Sequence, residues 1–158
     1  MPHNFESFTH AFFLAGGRAD RISDLLAKKN TPKQLLQVGG TSSLEHGMEM
    51  VLSVFPEIFP VIVSSPFWLA SFRNRFSGDG VIAVQPQSLG NADALRVGLK
   101  TVSEGQNALC LNADHLFGLK IEDLQQLADL HLRNNFSATI LLEEIKGTRS
   151  REFVWICD

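Results

Sequence analysis

The chain has 158 residues, of which 44% are hydrophobic and 20% charged, and it carries a net charge of −3. This length fits one domain with a core of its own, and the slightly acidic balance excludes a non-specific nucleic-acid binder, which would be basic. An anionic ligand must therefore be captured by local groups rather than by an overall positive field. No apolar run approaches the roughly 20 residues that cross a bilayer. Met1-Pro2-His3-Asn4-Phe5-Glu6 lacks the cationic start of a signal peptide, so no membrane partner is read. The two cysteines, Cys110 and Cys157, each lie in an apolar strand-like run, which fits buried, reduced thiols and a cytoplasmic compartment.

Taken in order, residues 1–10 read as a leader to a domain spanning 11–158. Residues 11–15 make a short buried strand, and Gly16-Gly17 then lets the backbone turn and approach a ligand with no Cβ in the way. Pro32 disfavours helix in the residue before it, so Lys33 is expected from extended or turn structure, and Gly39-Gly40 is a turn. Ser42 with Glu45 three residues on forms a capping box for a helix reaching about residue 54, with Leu44, Met48, Val51 and Leu52 toward a core. Residues 60–65 form a strand, Pro66 opens a helix reaching about 76, and 81–84 form another strand. Asn91 is expected to cap a helix through about residue 103, with Ala92, Leu95, Leu99 and Val102 inward. A strand over 107–113 stops at Asp114, an amphipathic helix covers 121–134, and the last strands are 137–142 and 153–157.

Strands that are continuous apolar runs, alternating with helices, define an α/β fold: a Rossmann-like, mostly parallel sheet with helices on both faces. Ligands of such sheets bind at the carboxyl ends of the strands, where the Gly16 loop, Gln85 and Asp114 all fall. A strand, a glycine turn and then the cation Arg21 describe a cradle for phosphate oxygens, with main-chain N–H donors. It is not a Walker A loop, since no Gly-Lys pair occurs, nor a dinucleotide fingerprint, since Arg18 stands where the second glycine would be. An aspartate that ends a strand commonly serves a turn or a helix cap; facing a phosphate-filled cleft, Asp114 would instead be a hard ligand for Mg²⁺. His3, His10, His46, His115 and His131 are scattered without metal-ligand spacing, so no zinc site is indicated.

Four segments, in order, resemble the sugar-phosphate nucleotidyltransferases. Leu14-Ala15-Gly16-Gly17-Arg18-Ala19-Asp20-Arg21 is similar to their opening signature L-A-G-G-x-G-T-R. Pro32-Lys33-Gln34-Leu35-Leu36 resembles the segment that supplies a phosphate-contacting lysine, which implies that role for Lys33. Gln85-Pro86-Gln87-Ser88-Leu89-Gly90-Asn91-Ala92 looks like the Q-x-x-x-L-G-T-A stretch, which implies that Gln85 reads the base while Gly90 and Asn91 border the nucleotide. Leu111-Asn112-Ala113-Asp114 resembles the strand that ends in a metal-binding Asp. The resemblance covers the N-terminal part of that catalytic domain. It implies transfer of an NMP unit from an NTP (UTP, dTTP or ATP) to a sugar 1-phosphate, with release of pyrophosphate and Mg²⁺ as cofactor.

Two residues depart from the signature. Ala19 replaces Gly, as in the related molybdenum-cofactor guanylyltransferases, and Asp20 replaces Thr, placing a negative charge beside the triphosphate. The chain also stops at Asp158, in what should be a central strand, whereas the family domains continue. Such an end would leave sheet edge exposed for self-association. The alternatives are a truncated nucleotide-binding module without full catalysis, or a cytidylyl or guanylyl transferase with another acceptor.

Overall fold

The computed structural model describes residues 8–17, 31–103, 106–114 and 116–141, together with the backbone alone of 154–157. The first strand, β1 (Phe8–Leu14), starts three residues before the expected position, so the stretch read as a leader over 1–10 already enters the sheet at Phe8. Thr9 and His10 are polar and interrupt the apolar run that would have disclosed this start, and a register irregularity in the pairing with β6 (Asn107–Asn112) falls between Phe8 and His10. Phe8 nonetheless packs in the core, its ring centroid 5.5 Å from that of Phe55.

Six strands form one sheet in the order β5-β4-β1-β6-β8-β7, where β4 is Phe59–Ser64, β5 is Val81–Val84, β7 is Ala138–Leu141 and β8 is Val154–Cys157. β1 pairs in parallel with β4 and β6, and β4 in parallel with β5. The last strand, β8, is inserted antiparallel between β6 and β7. It is interior, as expected; the sheet's edges are β5 and β7, so the exposed edge expected of the last strand is not there.

Side chains of β1 alternate between two cores. Phe13, with Ile62, Leu109 and Leu111, meets the helices α1 (Ser43–Val54), α2 (Leu69–Arg75) and α4 (Ile121–Asn134) through Leu44, Val51, Phe72, Leu124 and Ala128. Phe12 and Leu14, with Val61, Val63 and Cys110, meet α3 (Asn91–Leu99) through Ala94. Burying residues such as these is worth about 1.5–3 kcal/mol for each large side chain, and it rules out a one-residue slip of the strands, which would exchange the two faces.

Lys33 lies in a 3₁₀ turn (Lys33–Leu35), in line with the extended or turn structure expected there: Pro32 holds the extended conformation ahead of it, and its carbonyl accepts from Leu35 N–H at 2.9 Å. The expectations for α3 are corrected. α3 is capped by Gly90 and ends at Leu99, so Asn91 is its first residue, not its cap. Its buried positions are Ala94 and Gly98, while Ala92 and Leu99 are exposed. Small residues one turn apart seat this helix closely on β1, a contact that a pattern of larger apolar residues does not reveal.

Two very short strands, β2 (Gln37–Val38) and β3 (Thr41–Ser42), form a hairpin that leads into α1. The expected capping box is present: Glu45 N–H donates to Ser42 Oγ at 3.3 Å, and Ser42 N–H to Glu45 Oε2 at 2.8 Å. Burial pushes the Glu45 carboxyl up, but Ser42 and the ion-paired Arg75 outweigh it, so its pKa lies below the ordinary value. A carboxyl depressed on folding stabilises the fold above its unfolded pKa, and that stability is lost as pH falls through the folded one. The urea midpoint of the wild type should therefore fall on acidification below about pH 4.5, whereas Glu45→Gln should start lower at neutral pH and show a shallower acid limb. Parallel acid limbs would contradict this assignment.

Candidate active site at the carboxyl edge of the sheet

The parallel strands β1, β4, β5 and β6 end on the same side of the sheet, and their ends are bonded to one another. Ala15 N–H donates to Val63 O at 2.8 Å, Gln85 N–H to Ser64 O at 2.8 Å, and Ala113 N–H to Leu14 O at 3.2 Å. Leu14 and Ala15 are buried, and these bonds use the Leu14 carbonyl and the Ala15 N–H; the Ala15 carbonyl accepts from Gln34 Nε2 at 3.4 Å. The chain surfaces between Gly16, which is buried, and Gly17, which is exposed. Arg21, Ala19, Asp20 and His115 lie outside the described residues.

Lys33 and Asp114, 81 residues apart, form an ion pair through Nζ and Oδ2. The segments that carry them are both fastened to the end of β1, one through Gln34 and the other through Ala113. The two side chains are about a quarter exposed, so the charges stand at the surface of this edge and not within the core. Asn112, the last residue of β6, is buried, and its Oδ1 accepts from Asn91 Nδ2 at 3.0 Å. Asn91 is thus held against the strand end beside Asp114.

Gln85 follows the end of β5 at this edge and is 2% exposed. Its Nε2 donates to Gly90 O at 3.2 Å and to Asp93 Oδ2 at 2.9 Å. Its Oε1 faces Gly16 so closely that a Cβ added there would stand 2.6 Å from it. A side chain at position 16 would therefore have to displace the Gln85 amide from its present bonds. Gly90 is required by its backbone, with φ of +95°, a conformation L side chains rarely adopt. Between these residues, Ser88 Oγ donates to Gly16 O at 3.5 Å, and Leu89 is left 68% exposed. Asp93 in turn accepts from Arg96 Nε at 3.1 Å and Nη2 at 2.6 Å. The hydrogen bond from Gln85, followed by those from Arg96, holds its carboxyl below the usual carboxylate range.

Of the residues singled out from sequence, Gly16, Gly17, Lys33, Gln85, Gly90, Asn91 and Asp114 meet along this edge. Sequence reasoning passed over Gln34, Asn112 and Asp93. Asn112 had a legible signal, a polar residue ending a wholly apolar strand; Asp93, on the first turn of a helix, had none beyond an ordinary solvated charge. A cavity of about 310 Å³ lies behind the Lys33 turn, lined by Thr31, Pro32, Leu35, Glu45 and Arg75 among others, and none of the edge residues just named is among its lining residues. Among the described residues, no group of three or more His, Cys, Asp or Glu could hold a metal, and no helix is long and apolar enough to cross a membrane.

In a mostly parallel α/β sheet, a carboxyl edge that carries a glycine turn, a lysine and a carboxylate is where a phosphate-bearing ligand such as a nucleotide binds. Residues 11–148 match the MobA-like NTP transferase domain, and the chain belongs to that family. It is 29% identical over 140 residues to the bifunctional protein GlmU of Streptococcus equi subsp. zooepidemicus, a match covering 87% of this chain and 28% of that protein. Its fold is like that of a nucleotidyl transferase from Methanothermobacter thermautotroptrophicus, with a TM-score of 0.62 and 21% identity over 77% of this chain and 57% of that one. It is also like Rv0371c from Mycobacterium tuberculosis, with a TM-score of 0.62 and 18% identity over 83% of this chain and 63% of that one. The chain thus spans about a quarter of the curated relative and somewhat over half of these solved structures.

The contact between Gly16 and Gln85 can be tested without any ligand. Gly16→Ala should lower stability by about 1 kcal/mol or more through overpacking, read from urea midpoints. Most of that loss should vanish in a Gln85→Ala background. An equal loss in both backgrounds would show that the Gln85 side chain is not what excludes a Cβ.

Proposed function

We propose that the chain transfers an NMP unit from an NTP to a sugar 1-phosphate and releases pyrophosphate. The observation that carries this reading is the meeting of Lys33 and Asp114, remote in sequence, at the end of the strand that leads into Gly16-Gly17. One cation and one carboxylate that neutralise each other are the pair an anionic triphosphate with its metal can exchange into. The lysine then turns to phosphate and the aspartate to the cation.

The residues present fit Mg²⁺ of a particular kind. Mg²⁺ is commonly held by one or two carboxylates with the remaining positions filled by water and substrate phosphates, and the partly exposed carboxylate of Asp114 at the strand end suits that arrangement better than an all-protein cage. Bound there, the ion would neutralise charge on the phosphates as the α-phosphorus is attacked. The acceptor needs no general base: the second pKa of a phosphate monoester is about 6, so a sugar 1-phosphate is already nucleophilic near neutral pH.

The protein's work is to bring two anions together and to stabilise charge on the α-phosphate and on the departing pyrophosphate. Main-chain N–H groups at Gly16 and Gly17, with Lys33 and Arg21, are assigned that task. Gln85, Gly90 and Asn91 are assigned to the base and ribose side, beside the exposed apolar surface of Leu89.

Pyrophosphate release should be followed with Mg²⁺, a panel of UTP, dTTP, ATP, CTP and GTP, and common sugar 1-phosphates. Turnover should depend on one NTP and on an acceptor, and should fall on the order of a hundredfold in Asp114→Ala and in Lys33→Ala. NTP binding without turnover across the panel would instead favour a nucleotide-binding module, and the absence of NTP binding would overturn the reading.

A further inference from the structure

We propose that Asp93 is the positioning residue for base selection: by fixing which end of the Gln85 amide faces Gly16, it makes position 85 a hydrogen-bond acceptor toward the nucleotide. This rests on the nucleotidyl-transfer reading above and adds a residue and a chemical rule to it.

An amide side chain can be turned end for end, and its orientation is set by its neighbours. Here both groups within reach of Nε2 are acceptors, the Gly90 carbonyl and the Asp93 carboxylate. A flipped amide would set its oxygen against both of them. The carbonyl can never donate, and the carboxylate stays ionised because Gln85 and Arg96 both donate to it. Each Asp93 oxygen has one of these partners: Oδ2 takes the amide, Oδ1 the guanidinium. The ion pair with Arg96 thus steadies the carboxylate that steadies the amide.

With its nitrogen committed, Gln85 turns Oε1 to Gly16, on the side where the phosphate loop begins. The ligand group that suits this atom is an N–H donor, such as those on the pairing edges of the nucleobases. A base that places a carbonyl or an unprotonated ring nitrogen there is rejected by acceptor–acceptor repulsion. Selectivity built on a buried hydrogen-bonding group exceeds what apolar packing supplies. It is lost when that group is free to reverse.

The test compares wild type, Asp93→Ala and Asp93→Asn by calorimetry with the five NTPs in Mg²⁺, using tripolyphosphate as a base-free probe. Wild type should prefer one NTP by about tenfold or more. Asp93→Ala should compress the spread to about threefold and leave tripolyphosphate affinity unchanged. Asp93→Asn, which keeps one acceptor oxygen, should fall between the two. In the ligand-free protein, the Gln85 side-chain amide protons should exchange with solvent more slowly in wild type than in Asp93→Ala. An unaltered spread in Asp93→Ala, or a parallel loss of NTP and tripolyphosphate affinity, would overturn the positioning role while leaving nucleotidyl transfer intact. Failure of the wild type to bind any NTP would overturn both.

Discussion

Parallel pairing of β1 with β4 on one side and β6 on the other governs where every polar group of the site can stand. The three strands run the same way, so their carboxyl ends open on one edge, and the bonds from Ala15 to Val63 and from Ala113 to Leu14 carry the pairing one residue past the strands. The glycine turn and Asp114 are then adjacent because the sheet is parallel. The two cores on either face of β1 prevent a slip that would dissolve this arrangement.

Charge at the edge is balanced within the protein before any ligand arrives. Lys33 and Asp114 satisfy each other, and Arg96, Asp93 and Gln85 form a chain that ends at Gly16. The Lys33–Asp114 pair is not deeply sunk, which lowers the cost of exchanging partners, since a fully buried charge pair would lose several kcal/mol when separated.

Much of this was legible in the residues. The apolar runs gave a parallel α/β sheet, Ser42 and Glu45 marked the start of α1, and the glycine turn, Gln85 and Asp114 fell at strand ends without any structure. What escaped reading has physical causes. The polar pair Thr9 and His10 interrupted the apolar run and hid the first residues of β1. In α3 the buried face is made of Ala94 and Gly98, whose small size matters more than their hydrophobicity. Asn91 looked like a cap because asparagine often is one, but Gly90 takes that place and frees the Asn91 side chain for Asn112. The role of Asp93 depends on a contact eight residues back in the chain, across a turn, which no helical or strand period can show.

The central claim, that the carboxyl edge of the sheet is the nucleotide site, is tested most directly by titrating Mg²⁺ and an NTP into ¹⁵N-labelled protein and mapping the amide shifts. Perturbations concentrated at Gly16, Gly17, Lys33, Gln85, Gly90 and Asp114, and weakened when Mg²⁺ is omitted, are the predicted result. Shifts gathered instead around Glu45, Asn74 and Arg75, at the cavity behind the Lys33 turn, would contradict it.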